Sequence, residues 1–216
     1  MDMDIIPLKK EMVQGDKETL VEDNTQQGDL RIGLGWDPAA INSKFEFDLD
    51  LSCILLRTDG RIREAEDFVF FHNLVSQGGA VHHSGDDPDG TVSPNEHDEV
   101  ITITPQEIEL DITRIVVLVT IYDGIARNQH FGMVNRSFVD VRFGNKFLQN
   151  RFNLQDPEHS GNTVINCGEI YRVNETWQFK NLSLSSREEI PQVLTRYGAK
   201  GAVKPPTKAW VENHQM

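Results

Sequence analysis

Residues Phe45-Glu46-Phe47-Asp48-Leu49-Asp50-Leu51-Ser52-Cys53 alternate without a break between apolar and polar side chains. An extended chain sends successive side chains to opposite faces. One face of this ribbon therefore carries Phe45, Phe47, Leu49, Leu51 and Cys53, and the other carries Glu46, Asp48, Asp50 and Ser52. That is the pattern of a half-buried strand. Working outward, strand patterns recur over residues 30–36, 68–75, 99–104, 114–122, 137–143, 163–172 and 175–182. The last two flank Val173-Asn174, a site for a tight hairpin turn. Helix signals are few and short. Thr104-Pro105-Gln106-Glu107 reads as a capping box with proline at the first helical position. Ser185, with Glu188 three residues on, opens a second helix expected to run to about Tyr197 and to stop at Gly198. Many strands with little helix predict an all-β, antiparallel β-sandwich with a few short helices.

The chain divides into three parts. Residues 1–28 are polar and mixed, with Pro7 and several turn formers, and read as an N-terminal arm with one edge strand. Residues 29–198 are the sandwich. Residues 199–216, which include Lys204-Pro205-Pro206-Thr207-Lys208-Ala209-Trp210, read as a flexible tail. Hydrophobic residues make up 38% of the 216, enough for a packed core and too many for global disorder. The N-terminus lacks a basic start followed by an apolar run, so a cytoplasmic protein is expected. No apolar run approaches the roughly 20 residues that span a bilayer, so direct membrane insertion is not expected. Cys53 and Cys167 lie in apolar, strand-like surroundings, where buried reduced thiols are expected. A net charge of −13 disfavours nucleic acid as a partner, because phosphate backbones repel it, and suits hard cations.

Placement of the acids sharpens that reading. Gly85-Asp86-Asp87-Pro88-Asp89-Gly90, with Asp98 and Glu99 beyond, gathers five carboxylates around one loop. Oxygen-rich loops with glycine and proline turns hold calcium, which takes about six to eight oxygen ligands. The loop is not an EF-hand: with Asp87 at position one, the obligatory glycine at position six is Val92. A second group lies upstream. Asp48 and Asp50 share one strand face, Asp37 precedes that strand, and Asp67 and Asn73 bracket the next. Read alone, an Asp-x-Asp strand is the solvated outer face of a sandwich. Together the two groups make Asp37, Asp48, Asp50, Asp67, Asn73, Asp86, Asp87, Asp89, Asp98 and Glu99 the candidate ligands of Ca2+.

Several ordered motifs resemble the TerD family of tellurite-resistance and stress-response proteins. They are Gly33-Leu34-Gly35-Trp36-Asp37, Phe47-Asp48-Leu49-Asp50-Leu51-Ser52, Asp67-Phe68-Val69-Phe70-Phe71-His72-Asn73, and Gly85-Asp86-Asp87 with Asp98-Glu99-Val100-Ile101. Ile121-Tyr122-Asp123-Gly124 with Arg127-Asn128-Gln129-His130-Phe131-Gly132, and Cys167-Gly168-Glu169-Ile170-Tyr171-Arg172 with Trp177 and Phe179, complete the likeness. The resemblance implies a β-sandwich that binds calcium, commonly two ions, through the Asp-x-Asp strand and the loop. It also implies a non-catalytic cytoplasmic scaffold working with other stress-response proteins and a membrane partner protein. The loop departs from the family pattern: Asp87 stands where the family has Asn, Asp89 where it has Thr, and the loop is about two residues longer. Asn95, Glu96 and Asp98 are the alternatives for its late ligand.

Two other functions fit some of the residues. A metal-dependent hydrolase would use His82 or His83 with the loop aspartates, although adjacent strand residues face opposite sides. A calcium-dependent carbohydrate-binding sandwich would need an exposed aromatic row, which the sequence does not display. No Gly-x-Ser-x-Gly elbow, phosphate loop or dinucleotide fingerprint occurs.

Overall fold

The structure is a computed structural model and describes residues 17–19, 28–37, 46–91, 97–144, 146–174 and 176–199. Eleven strands are found among them: β1 (Lys17–Thr19), β2 (Leu30–Gly35), β3 (Leu49–Arg57), β4 (Phe68–Val69), β5 (Val81–His83), β6 (Glu99–Ile103), β7 (Ile112–Ile121), β8 (Phe138–Phe143), β9 (Lys146–Asn153), β10 (Val164–Val173) and β11 (Thr176–Ser186). They form two antiparallel sheets. One has the order β1-β11-β10-β7-β3-β4, and the other β5-β6-β2-β8-β9. The molecule is thus an antiparallel β-sandwich. Strand β1, inside the N-terminal stretch, pairs with β11.

The core between the sheets follows from period-two alternation. Leu49, Leu51, Cys53 and Leu55 of β3 face Leu30, Ile32 and Leu34 of β2 and Ile101 and Ile103 of β6. The opposite face of the six-stranded sheet is also apolar. There Ile54 and Leu56 of β3, Val116 and Leu118 of β7 and Val164 of β10 pack under Phe68 and Phe70 and under α2 (Ile190–Arg196), which follows the single turn α1 (Gly124–Arg127) in chain order and contributes Val193 and Leu194. Strand β7 carries the unbroken apolar run Ile115-Val116-Val117-Leu118-Val119, the signature of a strand covered on both sides. Burying Val193 and Leu194 contributes about 1.5–3 kcal/mol each toward docking α2.

This second layer changes the setting of the Asp-x-Asp segment. Its polar side is not a solvated outer face: Asp48 is 0% and Asp50 4% exposed. Other local expectations shift as well. Strand β3 begins at Leu49, later than the alternation begins. The stretch 68–75 yields only the two-residue β4, followed by bridges Phe70–Asn73 and Val75–His82. Strand β9 was not foreseen, because Lys146-Phe147-Leu148-Gln149-Asn150-Arg151 shows no alternation. Asn174, at φ 56°, takes the left-handed turn position between β10 and β11. Residues 105–107 form only a 3₁₀ turn, and Thr104 spends its hydroxyl on Asp29 (2.9 Å) rather than on a cap. Ser185 and Ser186 continue β11, and the helix starts at Ile190, with Gln192 Oε1 accepting the Glu189 N–H at 3.0 Å. Pairing of β11 with β10 outweighs the serine cap signal, since Ser185 and Ser186 oppose Ile165 and Val164. The tail from residue 200 onward and most of the arm lie outside the described residues.

In the five-stranded sheet Asp140 is buried between His97 and Arg142. His97 Nε2 lies 3.0 Å from Asp140 Oδ2, and Arg142 donates to both carboxylate oxygens at 3.1 and 3.2 Å. Burial alone would raise this carboxyl, but the hydrogen bonds from His97 and Arg142 outweigh it and hold it below the ordinary carboxylate value. A lowered folded-state value stabilises the fold above the unfolded-state value near 3.8, and that stability is lost as pH falls through the folded value. Asp140→Asn is therefore expected to cost about 1.5–3 kcal/mol at neutral pH. In urea titrations at several pH values, its difference from the wild type should shrink once the medium is more acidic than the wild-type carboxyl's own titration.

Candidate metal centre

Three carboxylates from distant parts of the chain converge. Asp48 directly precedes β3, Asp50 lies within it, and Asp86 sits on the long loop from β5 to β6. One oxygen from each lies within 4.8 Å of the other two. Asp48 and Asp50 share a face by their two-residue spacing. The Asp48 carbonyl is fixed by the Tyr122 N–H at 2.9 Å, and Asp50 pairs with Thr120 of β7.

The loop is held to the strand by side chains that replace a missing strand neighbour. Strand β4 pairs only with Cys53 and Ile54, so the main chain of Leu51 lies beyond its reach. Buried backbone groups need partners, and the other sheet supplies them. Glu99 Oε2 accepts the Leu51 N–H at 2.7 Å, and His83 Nε2 lies 3.0 Å from the Leu51 carbonyl. The second Glu99 oxygen accepts the Asp87 N–H at 3.3 Å. One carboxylate, 0% exposed, thereby ties β3 to the residue after Asp86. His83 Nδ1 accepts the Gly85 N–H at 3.0 Å, so Nε2 carries the hydrogen and donates to Leu51. Both ring nitrogens of His83 are thus engaged with backbone.

A second set of contacts shapes the rest of the loop. Asp87 Oδ1 accepts the N–H groups of Asp89 and Gly90, each at 3.1 Å, in an Asx turn. Gly90 has φ +72°, and a Cβ there would sit 2.6 Å from Trp36 Nε1. Only glycine allows both that conformation and that approach. The Trp36 indole donates to the Phe47 carbonyl at 3.1 Å, one residue before Asp48. Its backbone N–H donates to Asp98 Oδ2 at 2.9 Å, and the Asp98 N–H donates to the Leu34 carbonyl at 2.8 Å. Trp36 is the peg between the loop and the start of β3.

The candidate ligands therefore fall into groups. Asp48, Asp50 and Asp86 meet. Asp87, Asp98 and Glu99 build the frame. Asp89 closes a local turn onto Thr91, at 3.1 Å to its N–H and 2.6 Å to its hydroxyl. Asp67 pairs with Arg63 at 2.8 Å, and Asn73 Nδ2 donates to the carbonyls of Glu66 (2.9 Å) and Phe68 (2.8 Å). Arg63 also contacts Glu109 and Asp111, and the hydrogen bond to Asp67 is the main reason its guanidinium is held above its usual value. Asp37 pairs with Arg136 at 3.6 Å. Asn95 and Glu96 lie outside the described residues. The roles of Trp36 and His83 were not read from the sequence; the contact between Trp36 and Gly90 joins positions far apart in the chain and leaves no local signal.

The donor set fits a hard cation. Calcium sits about 2.3–2.6 Å from each oxygen, so oxygens sharing one ion lie up to about 4.6–5.2 Å apart. The three carboxylate oxygens all lie within 4.8 Å of one another, inside the reach of a single ion. Three adjacent carboxylates repel unless a cation or protons neutralise them. No thiolate competes: Cys53 and Cys167 are free and buried, and burial pushes both thiols up, Cys167 to about 12.

A two-sheet sandwich with an acidic centre at the junction of a strand and a long loop defines the class. A family model described as TerD domain matches residues 8–197, and the chain belongs to that family. It is similar to the tellurium resistance protein TerD of Alcaligenes sp., with 35% identity over 77% of this chain and 85% of that protein. It is also similar to general stress protein 16U of Bacillus subtilis (strain 168), with 32% identity over 87% of this chain and 96% of that one. The crystal structure of a homologue of telluride resistance protein (TerD) from Streptomyces coelicolor A3(2) shares the fold, with a TM-score of 0.66, 20% identity, and coverage of 82% of this chain and 100% of that one.

If Glu99 is the tie described, Glu99→Gln keeps its shape but leaves one backbone N–H facing an amide. The expected loss is about 1–3 kcal/mol in urea unfolding. Faster amide exchange should appear at Leu51 and Asp87 before it appears in β7. Protection unchanged at both amides would contradict that role.

Proposed function

We propose that this chain is a calcium-binding, non-catalytic stress-response protein. The observation that carries the reading is the meeting of Asp48 and Asp50 from one sheet with Asp86 from a loop of the other. A divalent ion shared by the three would neutralise them and fasten the loop to the sheet edge, so calcium would act as a structural clasp. Asp48, Asp50 and Asp86 would hold the ion, with remaining positions filled by water or backbone oxygen. Calcium is favoured over magnesium because an irregular donor set suits its flexible coordination, whereas magnesium demands a near-ideal octahedron at shorter distance.

The names of the relatives support a role in tellurium resistance or general stress. We place the protein in the cytoplasm as an interaction module for other stress-response proteins, among them a membrane partner protein. No helix among the described residues is long and apolar enough to cross a membrane. The net charge of −13 argues against a nucleic-acid partner. A non-catalytic role is supported by the engagement of both His83 ring nitrogens with the backbone and by a cluster that, among the described residues, consists of Asp48, Asp50 and Asp86 alone.

A ligand that binds only the folded state stabilises it by mass action, by about 2.7 kcal/mol at one hundred times its dissociation constant. Thermal unfolding should shift upward with calcium, less with magnesium, and return to baseline with chelator. The double variant Asp48→Asn with Asp86→Asn is expected to stay folded and to lose the shift. An unchanged melting curve in calcium and chelator would refute the reading, as would a full calcium response in the double variant.

A further inference from the structure

Beside the three carboxylates, on the outer face of the six-stranded sheet, lies a cleft of about 50 Å³. Its lining includes Ser52 and Thr120 from the sheet, the aromatic rings of Phe70 and Phe71, and Pro191 at the start of α2. Asp50 of β3 and Glu188, which follows β11, also line it. Two of these groups have polar atoms left over. Ser52 is 1% exposed, and its Oγ has no hydrogen-bond partner among the described residues. Glu188 gives Oε1 to Arg196 at 2.7 Å, while its buried Oε2 has none. Leaving a buried polar atom unsatisfied is costly, and such atoms in a folded protein call for a ligand, an ion or water.

The chemistry of the lining narrows what could satisfy them. Aspartate, glutamate and serine oxygens are acceptors, and no lysine or arginine lines the cleft among the described residues. The walls are chiefly apolar and aromatic, a poor setting for a fully hydrated ion and a good one for methylene groups. Aromatic faces also attract cations. A primary ammonium offers three N–H donors, matching the acceptors on Asp50, Ser52 and Glu188. At about 50 Å³ the cleft is small, on the scale of a few water-sized groups, which suits the end of a short chain. Burial raises the carboxyl of Glu189, another lining residue, and the nearby Asp123 adds to that effect, so an incoming positive charge is favoured there.

We infer that this cleft binds a short primary alkylammonium group, with the nitrogen among Asp50, Ser52 and Glu188 and its alkyl chain along Phe70, Phe71 and Pro191. The site shares Asp50 with the proposed calcium centre but does not depend on it. The same chemistry is offered by a free small amine and by the tip of a lysine side chain.

The test titrates the full chain, in chelator, with n-butylammonium, n-butanol and an end-blocked peptide carrying one lysine, followed by calorimetry and amide chemical shifts. Butylammonium is expected to bind and to move the amides of Ser52 and Glu188, while butanol binds much more weakly. Ser52→Ala and Glu188→Gln should each weaken binding roughly tenfold, the scale of one charge-assisted hydrogen bond. Both should keep the calcium-dependent melting shift. The Asp48→Asn/Asp86→Asn variant should lose that shift and still bind butylammonium, which separates this inference from the calcium reading. Binding of the peptide as well as the free amine assigns the source to a partner lysine, and binding of the free amine alone assigns a metabolite. The inference is overturned if butylammonium gives no heat and no shift changes, if butanol binds equally well, or if both single variants bind like the wild type.

Discussion

One buried carboxylate governs the geometry of the acidic centre. Glu99 accepts an N–H from Leu51 with one oxygen and an N–H from Asp87 with the other. Those two backbone atoms stand one residue from Asp50 and one residue from Asp86. Fixing them sets the distance between the six-stranded sheet and the described residues that follow β5. The reason Leu51 needs Glu99 is the shortness of β4, which ends the sheet early and leaves main-chain groups without a strand partner. An edge strand of full length would satisfy Leu51 and leave the loop untethered.

The two apolar layers serve the same end. Because α2 and the Phe68–Phe70 stack cover the outer face of the six-stranded sheet, Asp48, Asp50 and Ser52 stand on a face removed from bulk water. Low local polarity strengthens each electrostatic contact there and raises the cost of leaving charge uncompensated. The acidic centre and the neighbouring cleft are thus two consequences of one packing decision, the docking of α2 against β3, β7 and β10. Trp36 completes the frame: its indole fills the space that Gly90 leaves, and its backbone N–H donates to Asp98 just before β6.

Much of this was legible in the sequence because it is periodic. The alternation in 45–53 and its echoes along the chain gave the strands, and their number gave the sandwich. The pairing of Asp48 with Asp50 also follows from a two-residue spacing alone. Their meeting with Asp86 does not, since no local rule brings a loop of one sheet to a strand of the other; the TerD resemblance pointed there. What stayed hidden depended on tertiary contacts. The outer face of β3 looked solvated because α2 covers it from more than a hundred residues away. The divergent fates of Asp67 and Asn73 depend on Arg63 and on the turn after β4, neither of which carries a signal in its own neighbourhood. Ser185 was a reasonable cap by composition and became a strand residue because β10 offers it a ladder of hydrogen bonds.

The most direct measurement is an anomalous-difference map from crystals grown in calcium and recorded at long wavelength. The account requires a peak about 2.3–2.6 Å from carboxylate oxygens of Asp48, Asp50 and Asp86 together. A map with density only elsewhere on the surface, or with water at ordinary hydrogen-bond distances among those three side chains, would contradict it.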